Sequence, residues 1–192
     1  MKLRQLLLTA LLLACALAIA ACGNNKPNDL NYKLEPFTYT DQSGKPFALS
    51  DLSGKVWVSD FIFTQCTTVC PMLTANMAKL QQQLQEADVQ AELVSFSVDP
   101  KNDTPEGMKA YFGKFSEDDV NWHGLTGYSF EEIRRFSRTN YKVAVEKDAS
   151  SDQVIHGTSF YLVDQTGTVV ASYDGQDPPY KQIVKDVKSL LK

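Results

Sequence analysis

Two cysteines four positions apart, Cys66 and Cys70, are the residues of this sequence best suited to chemistry. They lie in the segment F-T-Q-C-T-T-V-C-P, between an apolar run and a helical pattern. We expect Cys66 in a loop and Cys70 near the start of a helix, where the positive end of the dipole favours a thiolate. Two thiolates on one turn form a soft pair suited to Cu(I) or zinc. A structural disulfide is the alternative, but so short a loop would contribute little stability.

Two sulfurs seldom complete a metal site, and the chain has only two histidines that could add a ligand. His123 follows Trp122 in a loop-like stretch, and we interpret it as a surface or packing residue. His156, in V-I-H-G-T-S-F-Y-L-V-D, lies just before an apolar run that is typical of a core strand. At this stage the residues alone leave the third ligand open.

The elements that must position these residues follow from the hydrophobic pattern. The run V-W-V-S-D-F-I-F over 56–63 predicts a strand buried on both faces of a sheet. A stripe from Leu73 to Ala87, at steps of four and three, predicts a helix after Cys70, with Gln81, Gln82 and Gln83 on its solvated surface. The other predicted elements are a hairpin over 37–48, strands over 93–98, 159–163 and 168–173, a helix capped by Thr104, a helix with the capping box Ser129–Glu132, and a closing helix over 183–191.

Strands that alternate with helices and end in a hairpin and a helix predict an α/β fold. We expect a central mixed β-sheet flanked by helices, with an N-terminal hairpin. A cysteine pair where a buried strand meets a helix makes the thioredoxin-like fold the best match. In that fold a cis-proline packs against the cysteines, and aligning F-Y-L-V-D with the strand after it places Thr158 at the proline position. Losing the proline would leave the sulfurs open to a ligand.

Three acidic residues are further candidates. Asp60, six positions before Cys66, resembles the buried aspartate with which thioredoxins move a proton during thiol exchange, so it is a possible proton acceptor. A carboxylate satisfied by local hydrogen bonds, or one facing the sheet edge, is an equal alternative, because a buried charge must be accommodated. We interpret Asp99 and Asp103 as turn residues after a strand, with partner docking as the alternative.

The N-terminus predicts export and a lipid anchor. Lys2 and Arg4 precede an apolar and small run over 6–21, which is short for a membrane span and typical of a secretory signal. The segment I-A-A-C-G at Cys22 resembles a lipobox, in which the chain is cut immediately before the cysteine and lipid is attached to its sulfur. Simple cleavage that releases the protein is the alternative.

We therefore predict three regions. A lipoprotein signal peptide over 1–21 takes Cys15 with it, a lipid-anchored flexible tether covers 22–35, and the folded domain covers 36–192. This places the domain on the outer side of the cytoplasmic membrane, where thiols can oxidise.

Composition excludes several classes of protein. The 192 residues are 43% hydrophobic and 22% charged, which is ordinary for a globular protein and excludes broadly disordered or collagen-like chains. With 23 acidic and 19 basic residues the formal net charge is −4. A domain of that sign, without a nucleic-acid motif, has no nucleic acid among its expected partners.

Four segments together resemble the SCO/SenC family of copper-binding proteins over nearly all of 36–192: F-I-F-T-Q-C-T-T-V-C-P, S-F-S-V-D-P-K-N-D-T-P, L-T-G-Y and V-I-H-G-T-S-F-Y-L-V-D. The resemblance implies that Cys66, Cys70 and His156 are copper ligands. It also implies a role in delivering copper to, or maturing, the copper A centre of cytochrome c oxidase. The copper-bearing subunit of that enzyme is then the expected partner.

Three functions remain open at this point. In the first, which is not enzymatic, the protein holds Cu(I) or Cu(II) and passes it on by ligand exchange; zinc is disfavoured because structural zinc needs four ligands. The second is a thiol–disulfide oxidoreductase, against which the wide cysteine spacing and the missing cis-proline argue. The third, a peroxidase, ranks lowest. Such sites pair the reactive cysteine with a nearby arginine, or with glutamine and tryptophan. The arginines here, Arg134, Arg135 and Arg138, are remote in sequence from Cys66.

Overall fold

The computed structural model describes residues 30–117 and 120–192. Its strands are β1 (Tyr32–Lys33), β2 (Thr38–Thr40), β3 (Pro46–Ala48), β4 (Trp57–Ile62), β5 (Glu92–Ser97), β6 (Trp122–Leu125), β7 (Glu146–Lys147), β8 (Val154–Ile155), β9 (Ser159–Val163) and β10 (Thr168–Asp174). Its α-helices are α1 (Cys70–Glu86), α2 (Pro105–Phe112), α3 (Phe130–Phe136) and α4 (Tyr180–Leu190). A 3₁₀ turn covers Leu49–Leu52 and a π-helical turn covers Ser137–Tyr141.

Six strands form one mixed sheet in the order β1-β10-β9-β4-β5-β6. The strands β4, β5 and β6 are parallel to one another, whereas β9 is antiparallel to both β4 and β10, and β1 is antiparallel to β10. The pairs β2–β3 and β7–β8 form two separate antiparallel ribbons. The predicted central mixed sheet, flanking helices and N-terminal hairpin are therefore confirmed.

Strand β4 is the centre of the sheet and determines where the cysteines lie. All six of its residues are buried, as expected for a strand with neighbours on both edges and packing on both faces. Its C-terminal end leads directly into the loop that carries Cys66. Helix α1 then returns over the sheet, burying Leu73, Met77 and Leu80 against the core.

The burial of Gln81 differs from our prediction for α1. We predicted a solvated side chain, but Gln81 is buried and its amide donates a hydrogen bond of 2.7 Å to the Asn121 side chain. Gln81 lies one turn after Met77 on the helix, so it borders the apolar stripe. A polar side chain at that position is tolerated because its hydrogen-bonding groups find partners.

Strand β6 was not predicted, because four residues containing His123 and Gly124 show little hydrophobic pattern. Pairing with β5 defines this strand: Leu93 lies opposite Trp122, and Phe96 opposite Leu125. The interpretation of His123 as a packing residue is confirmed. Its Nε2 lies 3.1 Å from Glu92, and its ring stacks on Phe47 at 4.3 Å.

The folded domain begins earlier than residue 36. Strand β1 pairs with β10, the Leu30 amide donates to the Val170 carbonyl, and Leu34 is buried. The predicted tether is therefore wrong over residues 30–35, because these residues extend the sheet at its edge. The predicted signal peptide, Cys15 and Cys22 lie outside the described residues. Among the described residues, no helix is long and apolar enough to cross a membrane.

We predict that Gly124→Ala lowers the free energy of unfolding by about 1–3 kcal/mol, the usual cost of overpacking a core. A Cβ at Gly124 would overlap the buried Phe112 ring and lie 3.0 Å from the Met108 methyl. Gly113→Ala is the matched control, since its Cβ would meet nothing nearer than 3.5 Å. Urea denaturation of both variants checks this, and equal stability for the two would contradict it.

Candidate metal centre

Three separate segments meet at one end of the central strands. Cys66 lies in the loop after β4, Cys70 is the first residue of α1, and His156 lies between β8 and β9. Because β4 and β9 are antiparallel neighbours, the end of one and the start of the other lie at the same edge of the sheet. The Sγ atoms of Cys66 and Cys70 and a ring nitrogen of His156 all lie within 4.8 Å of one another.

The contacts within this group are specific. The Cys70 Sγ lies 3.3 Å from the His156 Nε2. The Cys70 backbone N–H donates to the Cys66 Sγ at 3.3 Å, and the Thr68 hydroxyl lies 3.5 Å from the same sulfur. The amide at the start of α1 therefore points at Cys66.

A backbone hydrogen bond determines the protonation of the histidine ring. The His156 Nδ1 lies 2.9 Å from the Gly157 carbonyl oxygen, which can only accept. Nδ1 must therefore carry the proton, which leaves a lone pair on Nε2, the nitrogen beside Cys70. The edge of the Phe63 ring packs against the imidazole at 5.8 Å. A neutral imidazole held in this way is ready to bind a metal through Nε2.

The two cysteines differ in burial and acidity. Cys66 is 7% exposed and Cys70 is fully buried. Burial alone would raise the pKa of Cys66, but hydrogen bonds lower it to about 5. The His156 contribution applies to a ring that directs an N–H at the sulfur, whereas the Cys70 amide and the Thr68 hydroxyl can donate whichever ring nitrogen carries the proton. Burial and the neighbouring Cys66 raise the pKa of Cys70 far above its usual range. The prediction that the helix dipole favours a Cys70 thiolate is therefore wrong, because the helix amide contacts Cys66 instead.

Asp103 supports the cysteine loop, a role that we did not predict from the sequence. The carboxylate is 1% exposed and accepts hydrogen bonds from the Thr64 N–H at 3.1 Å, the Thr64 hydroxyl at 2.6 Å and the Ser97 hydroxyl at 2.5 Å. Its position just before the helix cap Thr104 predicted a turn, with partner docking as the alternative. Asp99 does form such a turn, accepting from the Asn102 side chain at 2.7 Å.

The ribbon β7–β8 holds the histidine side of the site. The Gln153 side chain accepts from the Thr67 backbone N–H at 3.4 Å, which joins the cysteine loop to the segment before His156. On the other side, the Thr158 carbonyl accepts from the Gly175 N–H at 3.0 Å. Thr158 comes directly before β9, and no described peptide bond is cis.

Asp60 lies in the middle of β4, beside Ser95 of β5. It is 1% exposed, and neither carboxyl oxygen has a hydrogen-bond partner of regular geometry among the described residues. Burial raises the pKa of Asp60 to about 7, although Ser95 and His156 act in the opposite direction. The alternative of a carboxylate at the sheet edge is therefore wrong, since β4 has neighbours on both sides, whereas local satisfaction by Ser95 stays a prediction. A role as proton acceptor stays a prediction.

The three arginines considered as partners of Cys66 in a peroxidase form ion pairs with glutamates instead. Arg134 and Arg138 form ion pairs with Glu146, at 2.9 and 2.8 Å, and Arg135 pairs with Glu35 at 3.1 Å. No described arginine forms a contact with Cys66 that would support peroxide chemistry.

The model of the family described as SCO1/SenC matches residues 25–192. The chain belongs to this family. A SCO1/SenC family lipoprotein from Bacillus anthracis is 53% identical, with a TM-score of 0.84 over 86% of this chain and 98% of that one. BsSco, described as a member of the Sco family of cytochrome c oxidase assembly proteins, is 44% identical, with a TM-score of 0.81 over 88% of this chain and 99% of that one.

A third solved structure, Bradyrhizobium japonicum ScoI, contains copper. It is 29% identical, with a TM-score of 0.68 over 83% of this chain and 99% of that one. These similarities confirm the family resemblance and the thioredoxin-like fold predicted from sequence.

We predict that Cys66 is alkylated by iodoacetamide with a pH midpoint near 5, because its contacts stabilise the thiolate. Cys70 should react far more slowly throughout, since it is buried and its pKa is raised. Alkylation rates of the metal-free protein, read by peptide mass spectrometry from pH 4 to 9, check this; the urea-unfolded chain, with both midpoints about 8.5, is the control. A folded-state midpoint for Cys66 near that unfolded value would contradict the asymmetry.

Proposed function

We propose that this protein is a copper chaperone that binds copper through Cys66, Cys70 and His156 and helps to assemble the copper A centre of cytochrome c oxidase. The observation that carries the proposal is the group of three ligand atoms within 4.8 Å, with the Nε2 lone pair of His156 beside the Cys70 sulfur. Copper bound to a relative, and the description of another as belonging to oxidase assembly proteins, support it.

The donor set suits copper as cargo. Two sulfurs favour Cu(I), and the imidazole accommodates Cu(II) as well. Because Cys70 carries a proton in the free protein, copper binding should release it to solvent or to a neighbouring base. Three protein ligands leave room for an incoming ligand from an acceptor, so copper can move by ligand exchange. His156 is only half-buried, which gives the acceptor a path to the site.

Thiol reduction is the second candidate, and the lowered pKa of Cys66 favours it. The Cys66 thiolate would attack a partner disulfide, forming a mixed disulfide and releasing one partner thiolate. Cys70 would then lose its proton, with Asp60 as the proposed acceptor, and attack the Cys66 sulfur. The products are a Cys66–Cys70 disulfide and a partner dithiol, so the two electrons come from this protein. A dithiol acceptor that must be reduced before it binds copper would join both functions.

We further propose that the chain is a lipoprotein on the outer face of the cytoplasmic membrane. In this organisation residues 1–21 are removed as a signal peptide and Cys22 carries the lipid. A tether then leads to the sheet, which begins at β1. The lipobox-like segment I-A-A-C-G and the description of the Bacillus anthracis relative as a lipoprotein support this.

We predict that His156→Ala weakens copper affinity at least 100-fold, because it removes one of three ligands and an oriented lone pair. His123→Ala is the matched control: it removes the other histidine, which contacts Glu92 and Phe47, and should keep the parent affinity. Competition titration of Cu(I), with thiolate-to-copper absorption followed for Cu(II), measures the effect. Parent-like affinity in His156→Ala would contradict the three-ligand site.

His156→Ala and the parent protein separate the candidate functions. Metal-free His156→Ala should still form the Cys66–Cys70 disulfide, since both sulfurs remain. If the parent reduces a generic disulfide rapidly without copper and binds copper only weakly, thiol reduction is the main activity and the chaperone proposal fails.

We predict that Cys22→Ser releases the protein from the membrane fraction, because no sulfur remains to carry the lipid. Cys15→Ser is the matched control, since Cys15 lies within the predicted signal and should have no effect on the mature protein. Fractionation with immunoblotting, together with the mass of the N-terminal peptide, distinguishes the two. A Cys22→Ser N-terminal peptide that still carries the mass of a lipid, or membrane retention of a Cys22→Ser chain from which residues 1–21 have been removed, would refute the anchor.

A further inference from the structure

Helix α4 carries an unusual concentration of positive charge for a protein with an acidic balance. Lys181, Lys185 and Lys188 are spaced by four and three residues and are all exposed. At 100° per residue these three side chains fall within about 60° of the helix circumference. Lys192 follows the helix at the same spacing, and Val184 lies among the four lysines in one shallow depression. We call Lys181, Lys185 and Lys188 the lysine face.

The lysine face is not neutralised within the described part of the chain. None of its three lysines forms an ion pair there, whereas Lys55, Arg134, Arg135 and Arg138 all pair with glutamates. The one acidic residue of α4, Asp186, is buried on the opposite side. It accepts from the Tyr173 hydroxyl and the Gln182 amide, both at 2.8 Å. The charged side chains on the outward surface of α4 are therefore all basic.

The rest of α4 packs firmly on the domain, so the lysine face has a fixed direction. Ile183 and Val187 are fully buried beneath it. At the start of the helix the Tyr180 hydroxyl donates to the Asn76 side chain at 2.9 Å, and Asn76 donates to the Gly175 and Gln176 carbonyls. These contacts tie α4 to α1, the helix that begins with Cys70. A surface that binds the lysine face therefore also orients the metal centre.

We propose that the lysine face docks on an anionic phospholipid surface and sets the orientation of the metal centre at the membrane. A basic helix face attracts anionic headgroups, and Val184 offers an apolar contact between them. This proposal rests on the proposed lipid anchor at Cys22. Seven residues lie between Cys22 and Leu30, whose amide bonds to β10, and these eight Cα–Cα steps reach at most about 29 Å.

Because this reach is short, three lysines are enough to keep the lysine face on an anionic membrane. A domain of this size has a radius of gyration of about 15 Å, so the anchor keeps it within roughly its own diameter of the lipid. The anchored domain meets the membrane at a high effective concentration, and a weak electrostatic contact is then well populated. Each lysine near an anionic surface strengthens binding about fivefold, and salt weakens this contribution.

The test uses the lysines as their own probes. The full mature chain, purified from membranes, is reconstituted into vesicles of phosphatidylcholine alone or mixed with phosphatidylglycerol. Labelling by an amine-reactive ester is then read by peptide mass spectrometry. Lys181, Lys185 and Lys188 should label at least about fivefold more slowly on phosphatidylglycerol vesicles, and high salt should remove the difference. The exposed Lys101, Lys109 and Lys114 should label equally on both.

Two matched variants test the cause. Lys181→Gln with Lys185→Gln and Lys188→Gln should abolish the protection of the remaining Lys192. Lys101→Gln with Lys109→Gln and Lys114→Gln loses the same charge elsewhere and should leave the lysine face protected. A chain that begins at residue 23, and so lacks both the signal segment and the lipid, should sediment preferentially with phosphatidylglycerol vesicles at low salt, so the proposal is tested even without the anchor.

Several results would overturn the proposal. These are no protection on either vesicle, equal protection on neutral and anionic vesicles, and protection that arises only when a copper-accepting protein is added, which would make the lysine face a protein-binding surface. Copper affinity should be unchanged in both triple variants, because they leave Cys66, Cys70 and His156 intact. Failure of the parent to bind copper would refute the proposed chaperone function and leave this measurement valid.

Discussion

The metal centre depends on one hydrogen bond, from the His156 Nδ1 to the Gly157 carbonyl. This bond places the proton on Nδ1 and leaves Nε2 with a lone pair 3.3 Å from the Cys70 sulfur. Without it, the other tautomer would present an N–H to the sulfurs and could not bind a metal without first losing that proton. The acceptor is a backbone carbonyl, so this hydrogen bond needs no particular side chain as its acceptor. The half-buried ring is therefore prepared as a ligand before any ion arrives.

Sheet topology makes this hydrogen bond useful. The antiparallel pairing of β4 and β9 brings the cysteine loop and His156 to one edge of the sheet, although His156 follows Cys70 by eighty-six positions. Asp103 holds the cysteine loop from one side, and Gln153 joins it to the histidine segment from the other. The loop that carries Cys66 thus has polar contacts to two separate parts of the chain. This support limits how far the three ligand atoms can separate.

The environment makes two chemically identical cysteines different. Cys66 is next to the first helical amide and a threonine hydroxyl, which favour its thiolate, whereas Cys70 is buried close to the charge of Cys66. The same asymmetry suits copper binding, in which one proton is displaced, and thiol exchange, in which the more accessible Cys66 thiolate attacks first. Metal transfer and disulfide chemistry are therefore compatible proposals for one site.

Much of this architecture could be predicted from the sequence, because it depends on local patterns. The buried run of β4, the stripe of α1 and the caps at Thr104 and Ser129 are all written in residue types and spacing. Strand β6, the burial of Gln81 and the supporting role of Asp103 could not be predicted, since each depends on partners distant in sequence. The choice of Cys66 as the acidic thiol also required the geometry. Helix position alone suggested Cys70 as the acidic thiol, but the first amide of the helix is directed at the Cys66 sulfur instead.

X-ray absorption spectroscopy of the copper-loaded protein tests the central claim most directly, because it counts the atoms bound to copper. The account predicts two sulfur scatterers and one imidazole nitrogen in the parent, with the imidazole signal lost in His156→Ala and kept in His123→Ala. A copper shell made of sulfur alone in the parent, or an imidazole signal that survives in His156→Ala, would contradict it.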